Sequence, residues 1–192
     1  MGEADSHDRI LDEALRLFAH QGYSATAVRE VAEAAGVTKP TLYYHFGSKE
    51  GVFHALIDRH LTGLGALVQQ AIAGQGTVRE RMAAFLSAYI LGALAHRDAL
   101  RFMMTCSLPG GDDDALECDV MVRQMQYVAP LSKVIHQGVA SGELRAELDP
   151  HISVIALVGA ANLHLASALN GATVDDATVE RILNTWLNGV SK

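Results

Sequence analysis

Apolar and polar residues follow one another along most of the chain with the spacing of amphipathic helices. The segment from Arg9 to Gln21 shows the pattern first, with Ile10, Ala14, Leu17 and Phe18 on one helical face. Similar segments are separated by breaker signals such as Gly74-Gln75-Gly76 and Asn170-Gly171. The pattern therefore predicts an all-α protein of about nine helices.

Residues 28–47, VREVAEAAGVTKPTLYYHFG, predict two short helices joined by a tight turn. The first helix carries an apolar stripe at i, i+3, i+4 and i+7: Val28, Val31, Ala32 and Ala35. Gly36 suits the end of this helix, Thr38 can cap the next one, and Pro40 is tolerated in its first turn. This arrangement is typical of a helix-turn-helix, whose second helix enters the DNA major groove, although an αα-hairpin in a helical bundle has the same spacing.

The second helix of this pair is rich in groups that bind phosphates and base edges. Between Lys39 and Phe46 the cationic, hydroxyl-bearing and imidazole side chains are Lys39, Thr41, Tyr43, Tyr44 and His45. Leu42 and Phe46, four residues apart, can hold the opposite face on the core. Two tyrosines and a histidine on one exposed turn favour DNA binding over a purely structural hairpin.

Residues 9–57, RILDEALRLFAHQGYSATAVREVAEAAGVTKPTLYYHFGSKEGVFHALI, resemble the N-terminal domain of the TetR family of transcriptional regulators almost without gaps. The resemblance implies a DNA-binding head, residues 1–47, and a ligand-binding and dimerisation body, residues 48–192, linked by helix 4 at about 48–73. It further implies a cytoplasmic, dimeric repressor that binds a palindromic operator and is released by a small-molecule effector. No enzymatic activity is expected.

The resemblance also assigns the DNA contacts. It implies that Tyr43, His45 and Lys49 bind phosphates, and that the start of the recognition helix with Tyr44 approaches bases or the backbone. The complete set of expected DNA-binding residues is Thr26, Val28, Arg29, Thr38, Lys39, Pro40, Thr41, Tyr43, Tyr44, His45 and Lys49. One departure is Ala27, where the family has a capping hydroxyl. Either Thr26 takes over this cap or a phosphate contact is missing, and loss of a cap costs about 1 kcal/mol.

The composition qualifies this interpretation. The net charge is −7, and residues 1–50 hold five Lys/Arg against eight Asp/Glu, so we expect weak non-specific DNA affinity and salt-dependent specific binding. A mean hydropathy of +0.15 predicts apolar surface in an interface or a pocket. The polar N-terminus and the absence of 18 uninterrupted apolar residues argue against a signal peptide or a membrane span. Two cysteines suit a reducing cytoplasm.

The body is predicted to hold an effector pocket among helices 4 to 8. Its candidate walls are the methionines and aromatic residues Phe85, Tyr89, Phe102, Met103, Met104, Met121, Met125 and Tyr127. His60, Asn162 and His164 are candidate polar anchors. Such residues at helical spacing are also typical of plain core, but the methionines favour an adaptable site for a hydrophobic or aromatic effector. Pro130 is expected to bend the helix that carries it.

The last two helices suit a symmetric homodimer interface. Predicted helix 8 opens at Asp149-Pro150 and is rich in alanine and glycine, and predicted helix 9 starts near Asp175 and sets Trp186 among apolar residues. We expect a four-helix interface made of helices 8 and 9 from each chain, with ordinary core packing as the alternative.

Other functions remain open at this point. Asp112 to Asp114 with Glu117 and Asp119 form a possible metal site, but acids at a helix start are already favourable there. A helical enzyme or metal-binding protein is a remote alternative, because the nine histidines form no HExxH or similar ligand spacing. No metal and no cofactor are expected. Cys106 and Cys118 leave a thiol-redox regulator possible. A regulator controlled by a protein partner, without a small-molecule effector, is a further alternative.

Overall fold

The structure is a computed structural model that describes residues 3–107 and 120–190. The described residues form an all-α fold, which confirms the predicted class. The α-helices are α1 Glu3–Gln21, α2 Val28–Ala34, α3 Lys39–Phe46, α4 Lys49–Ala73, α5 Val78–Ala95, α6 Arg97–Ser107, α7 Val120–Val128, α8 Ser132–Ser141, α9 Pro150–Leu169 and α10 Asp176–Val190.

Pro130 raises the number of helices above the predicted nine. The sequence predicted one helix bent at Pro130. In the structure α7 ends at Val128, a 3-10 turn covers Ala129–Leu131, and α8 begins at Ser132. Proline lacks the backbone N–H and its ring clashes with the preceding turn, so the helix is interrupted here. Predicted helices 8 and 9 are therefore α9 and α10.

Side-chain caps fix several helix starts, and those at Thr38 and Asp149 are at the predicted residues. The hydroxyl of Thr38 accepts from Thr41 N at 3.3 Å, and that of Ser48 accepts from Gly51 N at 3.0 Å. A capping box joins Thr77 and Glu80 in both directions, at 2.9 and 3.2 Å. The carboxylate of Asp149 accepts from the first turn of α9 at 2.8 and 3.0 Å. These local signals are short-range and so are readable from sequence.

The described residues divide into two compact units, those of 1–60 with 98–120 and those of 61–97 with 121–192. This division differs from the predicted boundary at residue 47, because α6 and the first part of α4 belong to the first unit. Phe102 on α6 packs with Phe18 on α1 and Phe53 on α4, with ring centroids 6.2 and 5.4 Å apart. The His20 imidazole also lies 2.9 Å from Asp98.

In the second unit α5 packs against α8, α9 and α10. Trp186 of α10 is 9% exposed and donates from its indole N–H to Ser153 O on α9 at 3.1 Å. Its own chain therefore buries the Trp186 ring, which leaves little of it accessible to a partner chain. The apolar face of α10 is core, as the alternative interpretation had it.

Helix α9 is the most apolar helix of the described chain. With a mean hydropathy of 1.8 and a length of 20 residues, it is long and apolar enough to cross a membrane by length and composition alone. The sequence analysis argued against a membrane span only because no 18 apolar residues follow one another without interruption. Packing within the second unit accounts for part of this composition. The face carrying Val154, Leu157, Val158 and Leu165 is buried in the second unit.

Some predicted features lie outside the described residues. These are the acidic run from Asp112 to Asp114, Glu117, Cys118 and Asp119, together with the side chain of Met121.

Candidate nucleic-acid interface and effector cavity

The turn before α3 presents that helix on the surface of the first unit. Gly36 ends the preceding helix with φ of 64°, a conformation that costs L-residues about 1–2 kcal/mol. Leu42 is fully buried and holds the inner face of α3. At the end of α3, the Phe46 ring stacks on His7 of α1 at 4.7 Å. The Phe46 carbonyl lies so close to Gly51 that a side chain there would meet it.

The outer face of α3 is exposed, as an interface with DNA requires. Tyr44 is 74% exposed and Tyr43 46%, which is unusual for large aromatic residues without a partner. Thr38, Lys39 and Pro40 at the start of the helix are also exposed. The sequence-predicted residues that are half-buried are Val28, Thr41, His45 and Lys49. The structure thus brings most of the predicted set together around one helix.

Hydrogen bonds and charges orient the start of α3. The hydroxyls of Thr38 and Thr41 are 2.9 Å apart, so they restrain each other. Lys39 has no ion pair with any described residue, and its ammonium is available to an anion. Arg29 of α2 is paired with Glu33 at 3.3 Å, an exposed contact that DNA phosphates can replace cheaply. Lys39 is therefore the cation best placed to reach DNA.

Lys49 and His45 are held by neighbours within the first unit. The Lys49 ammonium donates to Ser24 O at 3.4 Å and lies 4.1 Å from the centroid of the Tyr23 ring. The His45 ring meets His7 edge-on at 5.9 Å. These contacts attach both predicted phosphate-binding side chains to α1 or to the loop after it, and so restrict their positions.

Thr26 does not cap α2. Its side chain is 1% exposed and its hydroxyl donates to Gly22 O at 2.8 Å, so the expectation that it replaces the missing cap is wrong. In this conformation its hydroxyl cannot reach DNA either. Glu30 compensates in part, because its carboxylate accepts from Ala27 N at 2.7 Å. The start of α2 thus keeps one half of a capping box.

The outer face of α9 is an exposed apolar stripe. Leu163 is 70% exposed, Ile152 63% and Ile155 42%. Between them the exposed positions are occupied by small residues: Ala156, Gly159 and Ala160. Their spacing of three and four residues places them on one side of the helix. Such a stripe permits close approach of another apolar helix.

A buried polar cluster lies inside the second unit. The Tyr89 hydroxyl donates to Asn162 Oδ1 at 2.6 Å and accepts from Gln124 Nε2 at 2.6 Å. Burial raises the pKa of Tyr89. The Tyr89 ring stacks on Phe85 at 5.6 Å with the planes 7° apart. The Tyr89 hydroxyl thus joins three helices, α5, α7 and α9. The sequence analysis predicted Tyr89 and Asn162 as pocket residues but missed Gln124.

A cavity of about 150 Å³ lies beside Phe85, between the end of α4 and α5. Its lining residues are Leu67, Gln70, Ala71, Gly74, Gln75, Glu80, Arg81, Ala84, Phe85 and Ala88. Sequence reasoning missed Arg81, which is 8% exposed. Its burial could have been predicted from the sequence, because Arg81 stands between Val78 and Phe85 on the apolar stripe of α5.

The other predicted pocket residues are distributed over both units. Phe102 and Met103 are buried in the first unit, where Phe102 belongs to the core around Phe18 and Phe53. Tyr127 lies in the second unit and contacts α4 at Gly65. The half-buried members are His60, Met104, Met125 and His164. Of the predicted set, only Phe85 lines the cavity described above. Within residues 3–107 and 120–190, no acid, histidine and cysteine side chains cluster as a metal site would require.

Known proteins resemble both parts of the chain. Residues 10–56 match the family described as "Bacterial regulatory proteins, tetR family". The chain is 30% identical over 167 residues to the HTH-type transcriptional repressor ComR of Escherichia coli (strain K12), covering 85% of this chain and 73% of that protein.

Solved structures share the fold over nearly the whole chain. The fatty acid degradation regulator FadR from Bacillus halodurans superposes with a TM-score of 0.83 at 20% identity, covering 96% of this chain and 95% of that chain. The SmeT-triclosan complex superposes with a TM-score of 0.79 at 19% identity, covering 97% and 92%.

Proposed function

Because the chain belongs to the TetR family of bacterial regulatory proteins, we propose that it is a homodimeric transcriptional repressor that a small effector releases from a palindromic operator. The family membership makes it a DNA-binding transcriptional regulator and not an enzyme. The sign of regulation, the interface and the effector are the parts proposed here. We place its action in the cytoplasm, where its DNA target lies.

The exposed face of α3 carries the proposal. Tyr44 is 74% exposed, and Lys39 has no ion pair among the residues the structure describes. They offer hydrogen-bond donors and an aromatic edge to the major groove. Thr38 and Thr41 at the helix start and the nearby Lys49 offer hydroxyl and ammonium groups to phosphates. Because few cations are available to bind phosphates, the affinity for non-specific DNA is low. Contacts to base edges therefore supply most of the preference for the operator over other DNA.

The apolar stripe of α9 supports homodimerisation. A stripe of Ile152, Ile155 and Leu163 separated by small residues is self-complementary when a second copy packs around a two-fold axis. A dimer of this kind presents two recognition helices to two half-sites, about one helical turn of DNA or a multiple of it apart. The exposed outer face of α10 extends the surface available to the partner.

The second unit supports a small-molecule effector. Its buried Tyr89 cluster and the neighbouring cavity supply apolar walls with a few polar groups, as ligand sites do. One structural neighbour, SmeT, was solved with triclosan, and another, FadR, is named a regulator of fatty acid degradation. A compact apolar or aromatic effector is consistent with this setting. An effector that prefers the non-binding conformation lowers DNA affinity by the same factor that DNA lowers effector affinity.

Selection from a random pool of DNA duplexes tests this proposal. The purified full-length protein is expected to enrich an inverted repeat whose half-sites are about 10 base pairs or a multiple apart. The Tyr44→Ala variant serves as the control and is expected to enrich no sequence. Enrichment of no sequence by a folded wild-type protein at low salt would contradict the proposed function.

A further inference from the structure

Arg81 is a buried cation without an acidic partner. Its Nε donates to Ala71 O at 2.9 Å, one Nη to Ile72 O at 2.6 Å, and the other Nη to Gln137 Oε1 at 2.6 Å. All three acceptors are uncharged, and no described carboxylate forms an ion pair with Arg81. A guanidinium has five N–H groups, so two of them remain without a described partner.

This arrangement leaves positive charge uncompensated beside the cavity. Removing a cation from water costs several kcal/mol unless an anion or strong acceptors replace the water. The carbonyls of Ala71 and Ile72 are at the negative end of α4 and offset part of this cost. The two remaining N–H groups lie one on each Nη, and a guanidinium can use such a pair to bind both oxygens of a carboxylate.

The cavity walls limit the rest of the ligand. The apolar part of the lining comes from Leu67, Ala71, Ala84, Phe85 and Ala88. A cavity of about 150 Å³ is large enough to hold a benzene-sized group. One ring or a short branched chain therefore fills the space next to Arg81.

Glu80 limits the ligand's charge. Its carboxylate also lines the cavity, and hydrogen bonds from the backbone and hydroxyl of Thr77 lower its pKa, so it stays ionised near neutral pH. A single carboxylate can face the buried Arg81 and keep away from Glu80, which is exposed to water. A ligand with several negative charges meets repulsion from Glu80. Gln70 and Gln75 add neutral amides to the lining.

We propose that the cavity beside Arg81 binds a small monocarboxylate with a compact apolar body, of which benzoate is the simplest probe. A bound carboxylate would also affect α4, because Arg81 bonds the carbonyls of the last turn of that helix. Helix α4 begins directly after the recognition helix, so the site is connected to it along the chain. Any effect of the carboxylate on DNA affinity rests on the function proposed above. The binding of the carboxylate to the cavity is independent of that function.

Calorimetry of the full-length protein with sodium benzoate tests the site without DNA. One benzoate per chain is expected, and benzamide, which has the same shape without the charge, is expected to bind at least about tenfold more weakly, because hydrogen bonds to charged groups are stronger. Arg81→Gln is expected to weaken benzoate binding by about tenfold or more. The matched control is Arg79→Gln, because Arg79 lies on the same helix but bonds Glu180 and Asn184 outside the cavity.

Two further variants keep the test decisive if Arg81→Gln does not fold. Ala84→Leu keeps Arg81, places a larger side chain in the cavity, and is expected to abolish benzoate binding. Glu80→Gln preserves a capping side chain and is expected to tighten binding a few-fold by removing the repelling charge. Equal binding of benzoate and benzamide, or unchanged benzoate binding by Ala84→Leu, would overturn the proposed site.

The regulatory consequence is measured separately with the selected operator. Benzoate is expected to reduce operator affinity of the wild type and to leave that of Ala84→Leu unchanged. If benzoate binds but DNA affinity does not change, the carboxylate site stands and its regulatory role fails. If the protein selects no operator, the DNA function fails while the calorimetric result remains valid.

Discussion

Two surfaces of this chain are almost equally exposed but differ in chemistry. On α3, Tyr44 is 74% exposed and is surrounded by Lys39, Tyr43 and hydroxyl groups. On α9, Leu163 is 70% exposed and shares its stripe with Ile152, Ile155 and small residues. The first surface offers hydrogen-bond donors and a cation, whereas the second offers only apolar area. Exposure alone therefore does not identify a partner.

The difference assigns different partners to the two surfaces. Phosphates and base edges form hydrogen bonds with donors such as those on α3. An apolar stripe such as that on α9 is stabilised when it is buried against a similar stripe. One surface thus suits DNA and the other suits a second copy of the chain. The predictions below separate the two roles, beginning with the largest expected effect.

Removing the donors of α3 is expected to abolish specific DNA binding without affecting the oligomer. Tyr44→Ala and Lys39→Ala each remove a contact at two half-sites, and one base contact contributes about 1–3 kcal/mol, so affinity falls by about 100-fold or more. Fluorescence anisotropy with the selected operator measures the loss, and Lys133→Ala on α8 is the matched control. Operator affinity like that of wild type in both variants would show that α3 is not the recognition helix.

Placing a charge on α9 is expected to separate the dimer. Leu163→Glu would bury an unpaired carboxylate in each copy, and the dimer dissociation constant is expected to rise by about 100-fold or more. Sedimentation velocity measures the change. The control is Val122→Glu on α7, another exposed apolar position at 51% exposure. A stable Leu163→Glu dimer would exclude the α9 stripe from the interface.

The turn before α3 is expected to show a smaller effect on stability. Gly36→Ala places a side chain at φ of 64° and should lower the free energy of unfolding by about 1–2 kcal/mol. Gly63→Ala in α4, where an added Cβ meets nothing within 4 Å, should instead raise it by about 0.4–1 kcal/mol. Urea unfolding compares the two variants. If both substitutions changed the free energy of unfolding equally, the positive φ of Gly36 would not explain why glycine is needed there.

The smallest expected effect is a pH dependence at His60 on α4. Burial lowers the pKa of His60 below its ordinary value of 6.5, so the folded protein keeps the imidazole neutral while the unfolded chain binds a proton near that pH. Stability contributed by this group is therefore lost as the pH falls below 6.5. The melting temperature of wild type should fall more than that of His60→Gln between about pH 7.5 and pH 5.5. Parallel falls in the two proteins would contradict this cause.

Local signals made the first unit easy to predict. Gly36, Thr38 and Pro40 indicate the turn and the start of α3 within a few residues. The cap at Asp149 in the second unit is an equally local signal. The split at Pro130 was foreseen as a bend, but sequence could not show that it would produce two helices. Ala27 was recognised as a missing cap, whereas the inward bond of Thr26 to Gly22 depends on the folded loop.

Contacts between distant segments were not predictable in the same way. Phe102 has the same apolar pattern whether it lines a pocket or packs on Phe18, and only the fold decides between them. Gln124 and Arg81 carry polar groups on apolar helix faces. Gln124 bonds Tyr89, 35 residues away, and Arg81 bonds Gln137, 56 residues away, as well as two nearer carbonyls. Trp186 could face a partner chain or its own core, and its bond to Ser153 resolves this in favour of the core.

The central claim is that α3 reads DNA while α9 joins two copies of the chain. Native mass spectrometry of the protein bound to its selected duplex tests both parts together. The account predicts two chains on each inverted repeat, and no complex of that composition for Tyr44→Ala or for Leu163→Glu. A wild-type complex of one chain with one duplex, or an intact two-chain complex of Leu163→Glu, would contradict it.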